Sequence, residues 1–434
     1  MIEYKRIMLI QLLRKITPKP LIQGYHYALA RFAAFGYRYP SKELVVIGVT
    51  GTNGKSTTTE FIGRMLESMG ERIGWTTTAS FKVAEREWVN DQKMTMLGRF
   101  QTQKMLRDMV KAGCTYAIVE TSSQGIVQSR HVGIDYDVAV FTNLTPEHIE
   151  AHGGFENYKQ AKGKLFEVCK GTHVINLDDA HADFFLNFEA ETVTGFGLRN
   201  SKATQVNAAP VVPDQVELSG ACTTFVLGDL TMHLKTIGQF YLQNALAAIT
   251  TVRALGFDWE DVQRAAEQLE PIGGRLEQID EGQAFHVVVD YAYEPAALNA
   301  AYEALELIEY NRLIHIVGSA GGGRDVARRE VLGEMVAEHD DIVIVANEDP
   351  YDEDPMQIIN DVADAAVGAG MKDGVNVFRI LDRQEAIDYA IKIAEPNDLV
   401  LITGKGSEPV MAVANGKKVP WDDRQAARKS LTSL

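Results

Sequence analysis

The residues best suited to chemistry lie between a β-branched run, Val45 to Val49, and a helical pattern that reaches Met65. Strand, glycine-rich loop and helix follow one another there, an arrangement in which backbone N–H groups and a helix N-terminus surround phosphate oxygens. Lys55 is placed to reach the outer phosphates, and Ser56 to ligate Mg²⁺ through its hydroxyl. We therefore predict a phosphate-binding loop made of Gly51, Thr52, Asn53, Gly54, Lys55, Ser56 and Thr57.

The glycine spacing of this loop departs from the standard phosphate-loop pattern, which has a glycine six residues before the lysine. Val49 occupies that position, and glycine occurs instead at residues 48, 51 and 54. The sequence thus predicts a variant loop.

Further polar residues follow the next predicted strands, Tyr116 to Glu120 and Asp137 to Asn143. Strands that alternate with helices indicate a mostly parallel sheet, which binds ligands outside the carboxyl ends of its strands. Glu120 is therefore expected beside the phosphate loop, where Mg²⁺ needs a carboxylate. His148 is a candidate ligand for a second divalent ion, and Asn143 a candidate hydrogen-bonding partner for a nucleotide base. Lys162 lies on a predicted helix with other lysines and by itself is typical of a solvated basic face.

Composition narrows the class of protein. The 434 residues predict two or three domains, and a net charge of −16 argues against a nucleic-acid surface. The three cysteines form no CxxC pair, which suits a reducing compartment and makes a structural zinc site or a disulfide framework a poor expectation. We expect a cytoplasmic, monomeric enzyme that does not bind nucleic acid.

The first 42 residues differ from the rest, because they contain eight Lys or Arg and one acidic residue. Two helical patterns, separated by Pro18 and Pro20, predict a short helical N-terminal segment. Helices packed on the next domain are the first interpretation. A peripheral contact of residues 1–40 with the inner face of a membrane is the alternative.

A second series of alternating strands and helices begins after Pro271 to Arg275, a candidate linker. We predict an α/β fold: a basic segment over residues 1–42, a central phosphate-loop domain over 43–270 and a Rossmann-like domain over 271–434. Short β-like runs in 196–236 predict a small antiparallel excursion. Arg275 is placed to approach a γ-phosphate when the two domains close.

Eight motifs in this chain occur in the order found in one known family. They are GVTGTNGKST (48–57), ETSSQGIVQSR (120–130), DVAVFTNLTPEHIEAHG (137–153), ENYKQAKGKLF (156–166), GGRLE (273–277), VDYAYEP (289–295), GGGRD (321–325) and GKGSE (404–408). The chain resembles the Mur ligases, ATP-dependent enzymes that add amino acids to the peptidoglycan precursor. Within the family it is most similar to the members that add the third residue.

The resemblance implies that ATP phosphorylates a carboxylate of a UDP-MurNAc-peptide, and that a free amino acid then attacks the acyl phosphate. It assigns Lys55 to the phosphates, and makes Lys162 a carbamylated lysine, which replaces the basic-face interpretation. The implied metal residues are Ser56, Glu120, His148 and Lys162. Asn143, Arg275 and Asp290 are implied to contact the nucleotide. The implied substrate residues are Ser122, Ser123, Gln128, Arg130, Arg324, Gly404 and Glu408.

Several positions depart from the family pattern. We expect the family's uridine-binding N-terminal domain to be missing or reduced to the 42 basic residues. Tyr293 and Ser407 replace two family histidines, and the pocket motif ends in Tyr351 rather than arginine. Without that arginine the second carboxylate of diaminopimelate lacks a bidentate partner. Lysine, ornithine or another diamine is therefore the expected amino acid. Its far ammonium would be received by Glu348, Asp349 or Asp352.

Three alternatives remain open from the sequence. A folylpolyglutamate synthase would also begin near its phosphate loop, although the ETSSQG and GKGSE motifs argue against it. A Mur-type ligase on a lipid-linked precursor would use the basic N-terminal segment at the membrane. A nucleotide-binding protein without ligase activity would not need the set of Lys55, Glu120, His148 and Lys162.

Overall fold

The computed structural model describes residues 19–92, 94–146, 152–199, 202–323 and 326–434. Two compact units make up the chain. The first runs up to Val212 and includes Leu246–Ala265, and the second comprises Pro213–Ala245 and Ala266–Leu434. Residues 213–245 thus group with the C-terminal part of the chain.

The first unit is built on one sheet of eight strands. In chain order these are β1 (Val45–Thr50), β2 (Ile73–Thr76), β3 (Ser80–Val83), β4 (Arg86–Val89), β5 (Tyr116–Glu120), β6 (Val138–Phe141), β7 (Thr172–Asn176) and β8 (Thr192–Phe196). Their order in the sheet is β4-β3-β2-β5-β1-β6-β7-β8. All pairs from β2 to β8 are parallel, and only the β2–β3 and β3–β4 pairs are antiparallel. The predicted mostly parallel central sheet is confirmed.

Helices precede, connect and follow these strands. They are α1 (Lys19–Gly36), α2 (Lys55–Ser68), α3 (Arg99–Lys111), α4 (Ser123–Val127), α5 (Phe155–Val168) and α6 (Ala182–Leu186), and after the small sheet α7 (Gln239–Ala254) and α8 (Trp259–Glu267). The small sheet, β9 (Gln215–Leu218), β10 (Thr223–Leu227) and β11 (Leu230–Leu234), is antiparallel and agrees with the predicted excursion.

The N-terminal helix α1 confirms the predicted short helical segment. Ala30, Ala33 and Ala34 are buried, whereas several larger apolar side chains of α1 are exposed: Leu21, Tyr25, Tyr27, Phe32 and Phe35. No helix among the described residues is long and apolar enough to cross a membrane. The other predicted helix of the basic segment lies outside the described residues, and a membrane contact of residues 1–40 stays a prediction.

The second unit carries a six-stranded sheet. Its strands are β12 (Glu277–Gln278), β13 (His286–Val289), β14 (Leu313–Val317), β15 (Ile342–Ala346), β16 (Val377–Ile380) and β17 (Leu399–Ile402), in the order β12-β13-β17-β14-β15-β16. Only the pair β12–β13 is antiparallel. The helices are α9 (Pro295–Leu305), α10 (Ala327–His339), α11 (Pro355–Gly368), α12 (Arg383–Ile393) and α13 (Asp423–Leu431), and a hairpin of β18 (Val410–Val413) and β19 (Lys417–Pro420) precedes α13. This is the expected C-terminal α/β sheet.

The glycine at position 48 has a packing reason. A Cβ atom there would lie 2.8 Å from the ring of Tyr136 and 2.9 Å from Leu165, so β1 can pass under these side chains only as glycine. Val49, at the position where the standard pattern has glycine, is fully buried in the core. The displaced glycine therefore belongs to the strand, and the loop proper is shaped by the two glycines at 51 and 54.

Candidate active site

The phosphate loop connects β1 directly to α2. Gly54 precedes the first residue of α2 with φ 76°, a conformation that glycine adopts without steric cost. A Cβ atom on Gly51 would lie 1.9 Å from Thr142 Oγ1. Lys55 Nζ donates a 2.6 Å hydrogen bond to Thr52 O, which folds the lysine back over the loop. The loop thus presents the N-terminus of a 14-residue helix together with a lysine, a suitable environment for an anion.

The end of the neighbouring strand β6 holds this loop in place. Asn143 accepts a 2.9 Å hydrogen bond from Thr52 N at its carbonyl and a 2.8 Å bond from Asn53 N at its side-chain oxygen. Thr142 Oγ1 donates to Asn53 O at 2.7 Å. The Asn143 amide also donates to Asn53 O, so its side chain positions the loop; the contact with a nucleotide base stays a prediction.

Ser56 and Glu120 meet at this edge because β1 and β5 are parallel neighbours. Ser56 Oγ donates a 2.8 Å hydrogen bond to Glu120 Oε2, and Glu120 is only 1% exposed. Thr78, just after β2, donates to the same carboxylate through its backbone N–H at 2.7 Å, and its hydroxyl oxygen lies 3.1 Å from Glu120 Oε1. A buried carboxylate must be compensated by hydrogen bonds or cations. Ser56 and Thr78 provide this compensation, and the oxygen atoms of Ser56 and Glu120 are of the kind that Mg²⁺ prefers.

The oxygen atoms of Ser56 and Glu120 suit Mg²⁺ better than they suit a metal ion coordinated by protein side chains alone. Among the described residues there is no group of three or more His, Cys, Asp or Glu side chains that could hold a metal ion. Mg²⁺ is usually held by one or two protein oxygens together with substrate phosphates and water. Ser56 and Glu120, next to a phosphate loop, match that type of site. The predicted ligand His148 lies outside the described residues.

Lys162 is buried beside the loop. It is 2% exposed, and its Nζ donates to Gly51 O and lies 4.5 Å from the centroid of the Tyr158 ring. Its neighbour Lys164 is exposed, and Lys159 pairs with Glu156 at 2.7 Å. The solvated basic face therefore describes Lys164, whereas Lys159 is partly buried and Lys162 is fully buried.

The short helix α4 carries the implied carboxylate-substrate residues. Ser122 Oγ caps the helix by accepting from Gly125 N at 3.2 Å, and Ser123 Oγ lies 3.1 Å from His152 Nε2. Gln128 Oε1 accepts a 2.8 Å hydrogen bond from Arg130 Nη2. Burial lowers the pKa of the Arg130 guanidinium, and the nearby Arg99 charge lowers it further. Ser122, Ser123, Gln128 and Arg130 thus lie on α4 or directly beside it in the chain.

In the second unit, the Asp290 carboxylate holds the segment that contains Arg275 in place through a hydrogen bond from its backbone. Its carboxylate accepts from Leu276 N at 2.7 Å and from Ala292 N at 2.6 Å. Burial raises the pKa of Asp290, while the Arg275 charge and these backbone hydrogen bonds oppose the rise. The Arg275 guanidinium lies 4.1 Å from the centroid of the Tyr291 ring. Both nucleotide-contact candidates of this unit thus lie together at the end of β13.

A buried lysine organises the GKGSE loop after β17. Lys405 is fully buried and pairs with Asp349 at 3.1 Å and, more closely, with Glu408. Tyr291 OH donates to the other oxygen of Glu408 at 3.0 Å. Asp349 also accepts from Ala412 N at 2.6 Å. Despite burial, which lowers it, the pKa of Lys405 is raised by the surrounding carboxylates, so the lysine stays charged.

Glu348 differs from these paired carboxylates. It is 5% exposed, and its Oε2 has no hydrogen-bond partner among the described residues. Burial raises its pKa to about 7, with Asp349 adding to the rise and Lys405 opposing it. A Cβ atom on Gly404 would lie 2.8 Å from Glu348 Oε2, so the carboxylate fits only beside glycine. Such a carboxylate is a candidate receptor for a ligand cation.

The structure thus groups the predicted residues in two sets. Lys55, Ser56, Glu120, Asn143 and Lys162 surround the loop of the first unit. Arg275, Asp290, Glu348, Asp349, Gly404 and Glu408 lie at strand ends of the second. His148 and Arg324 lie outside the described residues, and Asp352 Oδ1 accepts from Asn415 N at 2.7 Å.

Sequence reasoning missed three residues of these sets: Thr78, Lys405 and Tyr158. Tyr158, Lys162 and Phe166 follow one another at intervals of four on α5, and all three are buried. A lysine in an apolar stripe of this spacing is a signal of burial that the sequence contained. Lys405 lies within the GKGSE motif, but its partner Asp349 is 56 residues away and could not be paired with it beforehand.

Comparisons with known proteins agree with this arrangement. The Mur ligase middle domain matches residues 49–252, and the Mur ligase glutamate ligase domain matches residues 274–406. A UDP-N-acetylmuramyl-tripeptide synthetase from Roseiflexus sp. (strain RS-1) is 36% identical over 432 residues, covering 96% of this chain and 84% of the relative. A UDP-N-acetylmuramoyl-L-alanyl-D-glutamate–2,6-diaminopimelate ligase from Geobacillus kaustophilus (strain HTA426) is 34% identical with the same coverage.

Solved structures share the fold. One UDP-N-acetylmuramoyl-L-alanyl-D-glutamate–2,6-diaminopimelate ligase superposes with a TM-score of 0.61 at 29% identity, covering 93% of this chain and 82% of that one. Folylpolyglutamate synthase from Mycobacterium tuberculosis, complexed with ADP, has a TM-score of 0.67 at 16% identity, covering 92% of this chain and 95% of that one, a likeness of fold alone. The chain belongs to the Mur ligase family of ATP-dependent amide ligases.

Proposed function

We propose that this ligase adds a diamino acid such as lysine, rather than diaminopimelate, to the terminal carboxylate of a UDP-MurNAc-dipeptide. The observation that carries the proposal is Glu348, a buried carboxylate with an oxygen that has no partner among the described residues. It suits a ligand that ends in an ammonium group. Tyr351, three residues later, supplies no cation for a second ligand carboxylate.

The amino acid proposed for this chain differs from the one in the names of several relatives. The Geobacillus kaustophilus relative is named a diaminopimelate ligase, whereas the name of the Roseiflexus relative specifies no amino acid. A carboxylate in the receptor position would repel the second carboxylate of diaminopimelate and attract the ammonium of lysine. Asp349 is a weaker candidate receptor than Glu348, because Lys405 and Ala412 N already occupy one of its oxygens.

The phosphate loop of the first unit suits the activation of the substrate carboxylate by ATP. ATP transfers its γ-phosphoryl group to a substrate carboxylate oxygen, and ADP leaves. Lys55 and the N–H groups at the start of α2 offset the negative charge of the phosphates during this transfer. Mg²⁺, held by Ser56 and Glu120, would neutralise further phosphate charge. The amine then attacks the acyl carbon, loses a proton, and expels phosphate as the amide forms.

The proposed substrates can be tested with purified protein. We expect phosphate release with UDP-MurNAc-dipeptide, ATP and lysine or ornithine, and mass spectrometry should show the amide product. Turnover with diaminopimelate and none with lysine or ornithine would contradict the proposal that the amino acid ends in an ammonium group without a second carboxylate. Turnover only with folate and glutamate would support the folylpolyglutamate alternative, and preference for a lipid-linked acceptor would support the membrane alternative.

We further propose that Lys162 acts as a carbamate, formed when its neutral amine attacks CO₂ and the new N–C bond is accompanied by loss of one amine proton to water. Its burial next to Gly51 and Tyr158 supports the proposal, because a carbamate is an anion that can bind Mg²⁺ where a free lysine would repel it.

Lys162→Ala should lower kcat by at least about 100-fold, the loss typical of removing one electrostatic group from an active site. A short carboxylate such as formate should restore part of the activity by entering the vacated space. Lys164→Ala, which changes an exposed lysine of the same helix, is the control and should keep its activity. Full activity of Lys162→Ala, or the absence of rescue with a folded variant, would contradict the carbamate.

The raised pKa of Glu348 predicts a pH dependence of amino-acid binding. Only ionised Glu348 attracts an ammonium group, so KM for lysine should fall as pH rises through about 7, and Glu348→Gln should abolish this fall. Kinetics between pH 5.5 and 8.5, at saturating ATP, measure it.

As the pH rises, the free energy of unfolding should fall, whereas the binding of lysine should become tighter. A folded-state pKa above that of the unfolded chain means that the native protein binds the extra proton, so this contribution to stability is lost as pH rises from about 4.5 to about 7. Glu348→Gln should therefore be more stable than the wild type above pH 7 in urea denaturation. Glu338→Gln, an exposed control on α10, should follow the wild type at every pH, and equal behaviour of both variants would contradict the assignment.

A further inference from the structure

Two arginines come together where α3 begins and α4 ends. Arg99 is the first residue of α3, and its Nη2 donates to Gln128 O. Arg130 Nη1 donates to Met96 O, and its Nε and Nη2 donate to Gln128 Oε1 at 3.2 and 2.8 Å. Every one of these acceptors is neutral. Among the described residues, the two guanidinium groups are therefore held in place by neutral acceptors, and no carboxylate balances their charge.

The electrostatic surroundings disfavour a cation at Arg99. The first turn of α3 contains no acidic residue, and the N-terminus of a helix carries a partial positive charge that repels cations. Arg99 Nε is buried without a hydrogen-bond partner among the described residues. No carboxylate of the described residues forms an ion pair with either arginine; on α3 such pairs occur farther along the helix, at Lys104 and Arg107.

The pKa values reflect the same imbalance. Burial lowers the pKa of Arg99, and that of Arg130 is lowered by burial and by the charge of Arg99. Two like charges held close together without a carboxylate cost stability unless an anion joins them. A ligand anion would supply the missing charge and an acceptor for the buried N–H.

The pair lies close to the reacting end of the site. Thr95 accepts a 2.9 Å hydrogen bond from Thr78 Oγ1, and the backbone N–H of Thr78 donates to Glu120 at 2.7 Å. Met96, the next residue, is the one that binds Arg130. Along the chain, Glu120 and Arg130 are separated by α4, whose five residues make roughly 7–8 Å of helix. A substrate whose carboxylate is activated beside Ser56 and Glu120 would therefore have another of its anionic groups available for the arginine pair.

We propose that Arg99 and Arg130 together bind one oxyanion of the carboxylate substrate, a phosphate or a second carboxylate, and that Arg99 determines how tightly this substrate is held. The proposal deepens the proposed function and rests on it for the identity of the substrate. Arg99 is assigned no part in the chemical step.

Arg99→Gln should raise KM for UDP-MurNAc-dipeptide by about ten- to a hundredfold, the range for losing a charge-assisted contact. The kcat and the KM values for ATP and the amino acid should stay unchanged, and Arg99→Lys should recover part of the loss. Lys104→Gln, which removes an exposed charge from the same helix, is the matched control and should leave every constant unchanged. A purely structural role of Arg99 would instead lower Tm and leave KM as it was, which would overturn the proposal.

A second readout does not need turnover. With the phosphate loop saturated by Mg²⁺ and a non-hydrolysable ATP analogue, inorganic pyrophosphate or glutarate should raise the Tm of the wild type and of Lys104→Gln, but not that of Arg99→Gln. A response to pyrophosphate alone identifies a phosphate site, and a response to glutarate alone identifies a carboxylate site.

The two readouts separate this inference from the proposed function. A wild type that turns over no UDP-MurNAc-peptide would contradict the proposed function, while the Tm series would still decide the anion site. Equal Tm responses in Arg99→Gln and Lys104→Gln, or equal KM values, would overturn the anion site and leave the ligase assignment untouched.

Discussion

The buried hydrogen bond between Ser56 and Glu120 is the contact on which the first unit depends. It requires that a helix N-terminus and a strand end meet at one edge of the sheet, and β1 and β5 meet this requirement as parallel neighbours in register from Val45 to Val49. Thr78 joins them because β2 is the next parallel strand. A carboxylate at this depth is stable only with such partners, so the sheet topology and the candidate metal site are one constraint.

In the second unit, buried charges are compensated by ion pairs. Lys405 is surrounded by carboxylates, and Arg383, which is also buried, binds Asp423 through two 2.8 Å hydrogen bonds and donates to Thr403 O at 2.6 Å. Buried ion pairs add little net stability, but removing one partner is costly, so they fix the loops that carry them. Glu348 contrasts with these ion pairs, because it is a buried carboxylate whose Oε2 has no hydrogen-bond partner among the described residues, as expected of a residue that receives a ligand cation.

Much of this organisation could be predicted from the sequence, because the elements of a parallel sheet have strong local signals. The strand Tyr116–Glu120 agrees with the structure residue for residue, and the candidate site residues lie at strand ends as expected. The β2–β4 hairpin was missed because Arg86–Val89 is a polar, mostly exposed strand. The burial of Lys162 was hidden by the lysines on either side of it.

Long-range partners were the part that local patterns could not supply. The Arg99–Arg130 pair and the Lys405–Asp349 pair join residues 31 and 56 positions apart, and only the folded backbone brings them together. The glycine at position 48 is a similar case, since its reason is the ring of Tyr136 packed above it.

The central claim is that the loop, Ser56 and Glu120 activate a carboxylate as an acyl phosphate, and hydroxylamine trapping tests it most directly. Hydroxylamine attacks an acyl phosphate and yields a hydroxamate and phosphate. With ATP, Mg²⁺ and UDP-MurNAc-dipeptide but no amino acid, we expect one hydroxamate for each ADP, and none from Glu120→Gln. ADP release without hydroxamate, or equal hydroxamate from Glu120→Gln, would contradict the account.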